Sequence, residues 1–460
     1  MRRRWTRRTA VAAAVALAVA ACGSAEEATE TTEEATETTE APGTTEASPT
    51  TEVPESTEPP AGSPGGVNCE EPVKVGLVTD LTGTLAIYGS MVNASVPLGL
   101  EYATGAPGTD GKFMLDDCEI ELIVKDDQST AETTGTVARE LVEVEGADIL
   151  IGTVNSGATA TLQEIAADNE IPLIVAPAAS SEITGANFNE YTFRTSRQSY
   201  QDAITLCEFF AEEHETFVVI AQDYSFGQAG AAALTDACTQ KGAKEAADTI
   251  LVPMDVEEFT PYMDEVLDSG ADAWMLVWAG PTFIQLFQAA ADTGVIESMA
   301  LGAGFIDNST QPVIFGEAVG QTGAILYHYS LPDNPINDWM VDKAAEMEAG
   351  FPDLFWADGM NAGIAVVEAL RLTGGDASAD ALIGALEGLV FEGPKGTIEF
   401  RAEDHVALQD MYVVTLDNVD DKDTFLYYTL QETVRPEPPC QLPDDLVERC
   451  GDLAVGSLSG

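Results

Sequence analysis

The chain has 460 residues, 45% of them hydrophobic, and sets 78 Asp and Glu against 20 Lys and Arg for a formal net charge of -58. Such an excess of acid argues against nucleic acid and anionic lipid headgroups as partners. The length is that of about two or three domains with ample core.

The opening string, MRRRWTRRTAVAAAVALAVAAC, places a basic head before an apolar run from Ala10 to Ala21. That run is too short for a permanent membrane span, so residues 1–21 are read as an export signal that is removed. The string LAVAAC, ending at Cys22, is similar to a bacterial lipobox. The likeness implies cleavage before Cys22, lipidation of its thiol and an extracytoplasmic protein anchored to the outer face of the cell membrane. Arg7 and Arg8 leave the Sec and twin-arginine export routes both open. Removing the signal takes away five arginines and no acid, so the net charge goes from -58 to -63. Residues 22–66 are almost wholly Thr, Glu, Ala, Pro, Ser and Gly, with Val53 the only larger aliphatic residue. That composition cannot form a core, and a disordered spacer between anchor and folded body is expected.

Six further cysteines, at 69, 118, 207, 238, 440 and 450, belong to an exported protein, where disulfides persist. Fifteen pairings are open. We choose Cys69 with Cys118, which flank the starts of two strands expected to be neighbours. Cys207 and Cys238 sit on helices either side of one strand, and Cys440 and Cys450 close a short loop. Their spacing resembles neither a zinc nor a redox site, so metal and cofactor are both expected to be absent.

From residue 73 apolar strands alternate with amphipathic segments. VKVGLVTDL (73–81) reads as a strand, 89–103 as a helix and EIELIVKDD (119–127) as a strand. Ser129 with Glu132 predicts a capping box for a helix running to 144. Strands at 149–154 and 172–176 enclose another helix. FRTSR (193–197) crosses into a second series: helix 199–213, strand 217–223, helix 228–241, strand 248–252, helix 261–269, strand 273–279, helix 282–293, and strands 299–304 and 323–329. The last part reads as helices near 337–349, 356–373 and 378–389, then strands near 397–400, 410–417 and 424–430. Strands separated by helices of this length indicate parallel sheets of right-handed βαβ units.

The stretch ADILIGTVNSGATATLQEIAADNEIPLIVAPAASSEIT carries the best site signal. Its two strands end in turns that place Ser156 with Gly157, and Ala179 with Ser180 and Ser181, at the carboxyl edge of a parallel sheet, where α/β sheets bind ligands. Hydroxyls and N–H groups there suit a small anion such as a carboxylate. Either serine could equally be a helix cap.

Taken in order, VKVGLVTDLTGTLAIYGS, the 120–157 segment, IPLIVAPAASSEIT, YTFRTSRQS and VVIAQDYSFGQAG resemble the type I periplasmic binding proteins of the branched-chain amino acid transporter group, over roughly 73–416. The resemblance implies an α/β fold of two Rossmann-like lobes with parallel sheets, joined by three crossover strands near Arg197, Tyr329 and His405. One lobe would be 68–196 plus 330–405, the other 197–329 plus 406–460. It implies a ligand held between closing lobes and an ABC importer permease as partner, with a monomer expected. Carried over residue by residue, it assigns Ser156 to the ligand carboxylate, and the Ala179 carbonyl and Ser180 hydroxyl to the ligand's ammonium and carboxylate. Tyr88, Phe226, and Phe355 or Trp356 would be cleft aromatics, with Trp278 and Phe305 as added stacking surface. The acid that meets the ammonium in amino acid binders should fall near Gly304, where there is none, and Ala279 stands where those binders have Tyr. Asp223, Asp307 and Asp358 are possible substitutes. This departure fits an apolar or aromatic carboxylate, or a small amide, better than an α-amino acid.

An enzyme is not expected. There is no P-loop and no G-x-S-x-G, the three histidines are scattered, and Asp126 with Asp127 follows a strand end, where a cap or loop role explains the pair equally well. The alternative to delivery is a sensor that signals to a membrane receptor.

Overall fold

Near-continuous Val, Ile and Leu runs leave no polar face for water, and strands of that kind are buried on both sides. The computed structural model, which describes residues 66–459, uses them so. The expected signal, Cys22 and nearly all of the spacer lie outside the described residues. The first sheet comprises β1 (Val73–Thr79), β2 (Lys112–Leu115), β3 (Cys118–Asp126), β4 (Ile149–Gly152), β5 (Leu173–Val175) and β6 (Thr192–Arg194), in the order β2-β3-β1-β4-β5-β6. All its pairings are parallel except β2, which returns antiparallel on β3. The second sheet has β7 (Thr216–Gln222), β8 (Lys244–Glu245), β9 (Ile250–Val252), β10 (Ala273–Val277) and β11 (Ala300–Gly302). It runs β11-β10-β7 with β8 and β9 on the far side of β7, all parallel. These sheets, with their helices, form the two α/β lobes.

The chain crosses between lobes three times. After β6 it enters the helix Ser199–Glu213, which Cys207 staples to Cys238 of the helix Ser225–Gln240 in the second lobe. β12 (Thr322–Ile325) stays with the second lobe through a bridge from Ala324 to Gly304. The helix Pro335–Glu346 then lies on the first, with Trp339 5.1 Å from Tyr102. β13 (Val390–Gly393), β14 (Gly396–Phe400) and β15 (Ala407–Leu408) form a small sheet on the first lobe, where Phe400 meets Phe193. β16 (Met411–Leu416) and β17 (Tyr428–Val434) pair antiparallel with β12.

In the first lobe the helices Ala86–Thr104 and Trp356–Thr373 pack unusually close. A Cβ on Gly363 would lie 2.5 Å from the Val96 carbonyl oxygen, and one on Gly99 would lie 2.1 Å from that of Met360. Only glycine permits this approach.

The three disulfides are Cys69–Cys118, Cys207–Cys238 and Cys440–Cys450, the pairs chosen from the sequence. Other local expectations change. Thr130, not Ser129, caps the helix Ala131–Arg139, accepting from the Thr133 N–H at 3.2 Å. Ser129 is diverted, at φ 59°, to donate to Asp80 at 2.6 Å. The helix continues as a π-helical turn, Glu140–Glu145. The strand expected at 323–329 stops at Ile325 and joins an antiparallel sheet rather than the parallel one, because β16 supplies its partner. Nor does the C-terminal segment keep to the second lobe as expected. Cys440, Leu442 and Cys450 pack with Phe188, and Arg449 bonds Glu387 at 3.0 Å on the first lobe, while the Leu458 N–H reaches Asp236 of the second at 2.8 Å. Among the described residues no helix is long and apolar enough to cross a membrane.

Candidate functional site

The carboxyl ends of β4, β5 and β6 are adjacent, and they face the carboxyl ends of β7, β10 and β11 across a cavity of about 160 Å³. Ser156, Ala179 and Arg197 arrive from the first set; Tyr224 with Phe226, Trp278 and Phe305 arrive from the second. Tyr88, at the start of the helix after β1, and Phe355, just before the helix Trp356–Thr373, complete the wall. Their rings meet edge to face at 5.1 Å. The lobes touch at the rim, where the Gly280 N–H donates to the Tyr88 hydroxyl at 3.3 Å and Ser225 donates to Glu182 at 2.8 Å.

The two serine turns have different jobs. Asn155 caps the helix Ser156–Asp168, accepting from Gly157 at 2.9 Å and Ala158 at 3.1 Å, which leaves Ser156 free to face the cavity. The Ser156 Oγ accepts the Ser180 N–H at 3.2 Å. Ser180 is itself a cap: its Oγ accepts the Glu182 N–H at 3.3 Å, and it does not line the cavity. Trp356 likewise turns into the core, and Phe355 takes the wall position. Ala179 lines the cavity, but its carbonyl already accepts both the N–H (2.9 Å) and the Oγ–H (3.1 Å) of Ser199.

Arg197 is the principal group the sequence reading passed over, having marked it only as a crossover. Its guanidinium lies 5.4 Å from the Phe355 ring centroid, and its Nη1 donates to the Pro177 carbonyl at 3.1 Å. Nε pairs with Asp202 at 3.2 Å, and Asp202 is the one acid on the wall. The signal was available, since Arg197 follows a strand end in FRTSR. Beneath it Arg194 is fully buried and fixes the turn, donating to the carbonyls of Ala178 (2.6 Å) and Ser180 (3.0 Å). Burial and the Arg197 charge push the Arg194 pKa down. Lys395, buried nearby, donates to Gln409 at 2.8 Å, and Asp358 is held above the usual carboxylate range by burial despite the Lys395 and Arg197 charges. Arg194, Arg197 and Lys395 thus gather, among Asp202, Asp358, Asp404 and Asp410, at the junction of an acidic molecule.

None of the acids considered as substitutes lines the cavity. Asp307 caps a turn, accepting the Thr310 N–H at 3.0 Å, and Asp223 is exposed and accepts from Gln228 at 2.7 Å. Gly304 and Ala279 do line it, and they contribute no side-chain acceptor. Among the described residues, Asp80, Asp126 and Asp127 alone group as metal ligands could, within 4.8 Å. Their oxygens are spent on protein donors, including Leu85 N–H at 2.7 Å, Leu81 N–H at 2.9 Å and Thr134 Oγ–H at 3.0 Å, so the group organises turns.

Two α/β lobes with one cavity between facing strand ends make a clamp for a small molecule. The family model described as Periplasmic binding protein matches residues 72–423. The chain belongs to the periplasmic binding protein family. It is 25% identical over 362 residues to Leu/Ile/Val-binding protein homolog 6 of Brucella melitensis, covering 76% of this chain and 88% of that one. A solved ABC-type branched-chain amino acid transporter protein from Rhodopseudomonas palustris CGA009 is 33% identical at TM-score 0.65, covering 79% of this chain and 96% of that one. A solute binding protein of an ABC transporter from R. palustris BisB5, in complex with 3,4-dihydroxybenzoic acid, shares the fold at TM-score 0.67 and 23% identity, with 79% and 97% covered. Its relatives are substrate-binding proteins of transporters rather than enzymes.

Proposed function

We propose that this periplasmic binding protein captures a small carboxylate between its lobes and delivers it to the permease of an ABC importer. The observation that carries the reading is the cavity itself: Arg197 and Ser156 on one wall, aromatic rings on both, and lobes meeting across the rim. The names of the relatives bring branched-chain amino acids forward as cargo, and the BisB5 complex brings forward an aromatic acid. Binding favours the closed arrangement, and the importer reads the surface the two lobes then form together. In the same reading the protein is monomeric and held to the outer face of the membrane by a lipid on Cys22.

Thermal unfolding of the full chain against amino acids, aromatic acids and amides tests this. A ligand at a hundred times its Kd adds about 2.7 kcal/mol and raises the midpoint measurably. Ser156→Ala should weaken a carboxylate ligand about tenfold, one charged hydrogen bond's worth. An unchanged midpoint with every compound would reject the reading. Cys22→Ala should release the protein from the cell surface; retention there would reject the anchor.

A further inference from the structure

Resting on that reading, the balance of hydrogen-bond donors and acceptors on the wall narrows the ligand class. Each acceptor named on this wall already receives a donor. Besides the doubly bonded Ala179 carbonyl, the Ala178 carbonyl receives Arg194 Nη2 at 2.6 Å and Ser196 Oγ at 2.7 Å. The Pro177 carbonyl receives Arg197, the Ala279 carbonyl receives Gln222 Nε2 at 3.1 Å, and the Asp202 carboxylate is held by Arg197. Donors, in contrast, are spare. Arg197 Nη2 has no acceptor among the described residues, its Nε and Nη1 being the bonded nitrogens. The hydroxyls of Ser156 and Tyr88 accept N–H bonds, from Ser180 and Gly280, and keep their own protons free. Tyr224 stands beside them on the wall, and desolvation in the cleft raises the pKa of both phenols, so both remain donors.

Free donors, beside acceptors that each already hold a donor and a carboxylate already paired with Arg197, suit an anion better than an ammonium. The volume, about 160 Å³, is close to the ~150 Å³ of an apolar cavity that accepts a benzene ring. The surface offered to that ring is aromatic on both lobes: Tyr88 and Phe355 on one, Phe226, Trp278 and Phe305 on the other.

We infer that the ligand is an aromatic monocarboxylate without an amino group, its carboxylate held by Nη2 of Arg197 with the Ser156 and tyrosine hydroxyls. Arg197 is then the residue that sets specificity.

Calorimetric titration of the full chain with benzoate, 3-phenylpropanoate, L-phenylalanine, phenethylamine, benzamide and L-leucine tests this. The acids should bind at least tenfold tighter than phenylalanine or leucine, and phenethylamine should not bind. Arg197→Gln should lose about tenfold or more on the acids, as expected for a charge-assisted bond, and Arg197→Lys should recover part of it. Leucine or phenylalanine binding as tightly as the acids would overturn the inference and leave the solute-binding reading standing. Silence from every compound would overturn both. If the Arg197→Gln protein fails to fold, the ligand series on the unmodified protein decides alone, because it already separates the carboxylate from the ammonium.

Discussion

His328 shows what burial does to a single titratable group here. It is fully buried beside Tyr329 and Tyr428, with Nδ1 2.8 Å from Ser330 Oγ and no partner on Nε2 among the described residues. Burial lowers its pKa to about 4. As pH falls below the unfolded value, near 6.5, the unfolded chain takes up a proton that the folded chain refuses until about pH 4. Stability is therefore lost through that window. Relative to His328→Phe, the unmodified protein should lose about 3 kcal/mol between pH 7 and pH 4, read by denaturant unfolding at each pH. Parallel pH profiles for the two proteins would show that His328 is protonated without cost. At the same scale the site residues divide by what they already bond. Ser156 could be found from its place after a strand, but nothing in the sequence says that Asn155 does the capping and frees it, or that Ser180 caps and is thereby spent. Phe355 and Trp356 are neighbours, and which one faces the cavity depends on the phase of a helix start that spacing leaves undetermined by one residue.

At the scale of elements, the helix pair Ala86–Thr104 and Trp356–Thr373 depends on glycine. Gly363→Ala would set a methyl against the Val96 carbonyl oxygen at 2.5 Å and the Leu100 nitrogen at 2.8 Å. Both are backbone atoms, so the helices must part, at a cost of about 1–3 kcal/mol in thermal or denaturant unfolding. Gly384→Ala is the matched control, with nothing within 4 Å of its added Cβ, and should stabilise by up to about 1 kcal/mol. Equal effects at both positions would reject the close-packing account. The buried parallel strands were legible because each is a short apolar run with a helix on either side. β2 was not, since KFML alternates exposed and buried as an edge strand does and is only four residues long. The turn at Ser129 was misread because a local Ser-x-x-Glu pattern competes with a buried carboxylate, Asp80, brought in from 49 residues away.

At the scale of the whole molecule, order along the chain revealed two lobes, because alternating strands and helices fix the sheets and the return segments fix the crossings. The destination of the C-terminal segment was not legible, since its anchors, Phe188, Glu387 and Asp236, lie in distant parts of the sequence. The cavity has Arg197 as its one cation on the wall, while the chain as a whole carries a net charge of -58. A carboxylate must therefore approach against the molecule's long-range field and meets attraction only after it has entered. Screening shortens the reach of that field from about 30 Å at 0.01 M ionic strength to about 10 Å at 0.1 M, while the contact with a buried guanidinium is shielded far less. Added salt should therefore speed association of an aromatic acid and leave its dissociation nearly unchanged, a slope opposite to that of electrostatically steered partners. Stopped-flow tryptophan fluorescence, with Trp278 on the cavity wall, can follow it, and a rate that falls with salt would mean that the entrance, unlike the molecule around it, carries a positive field.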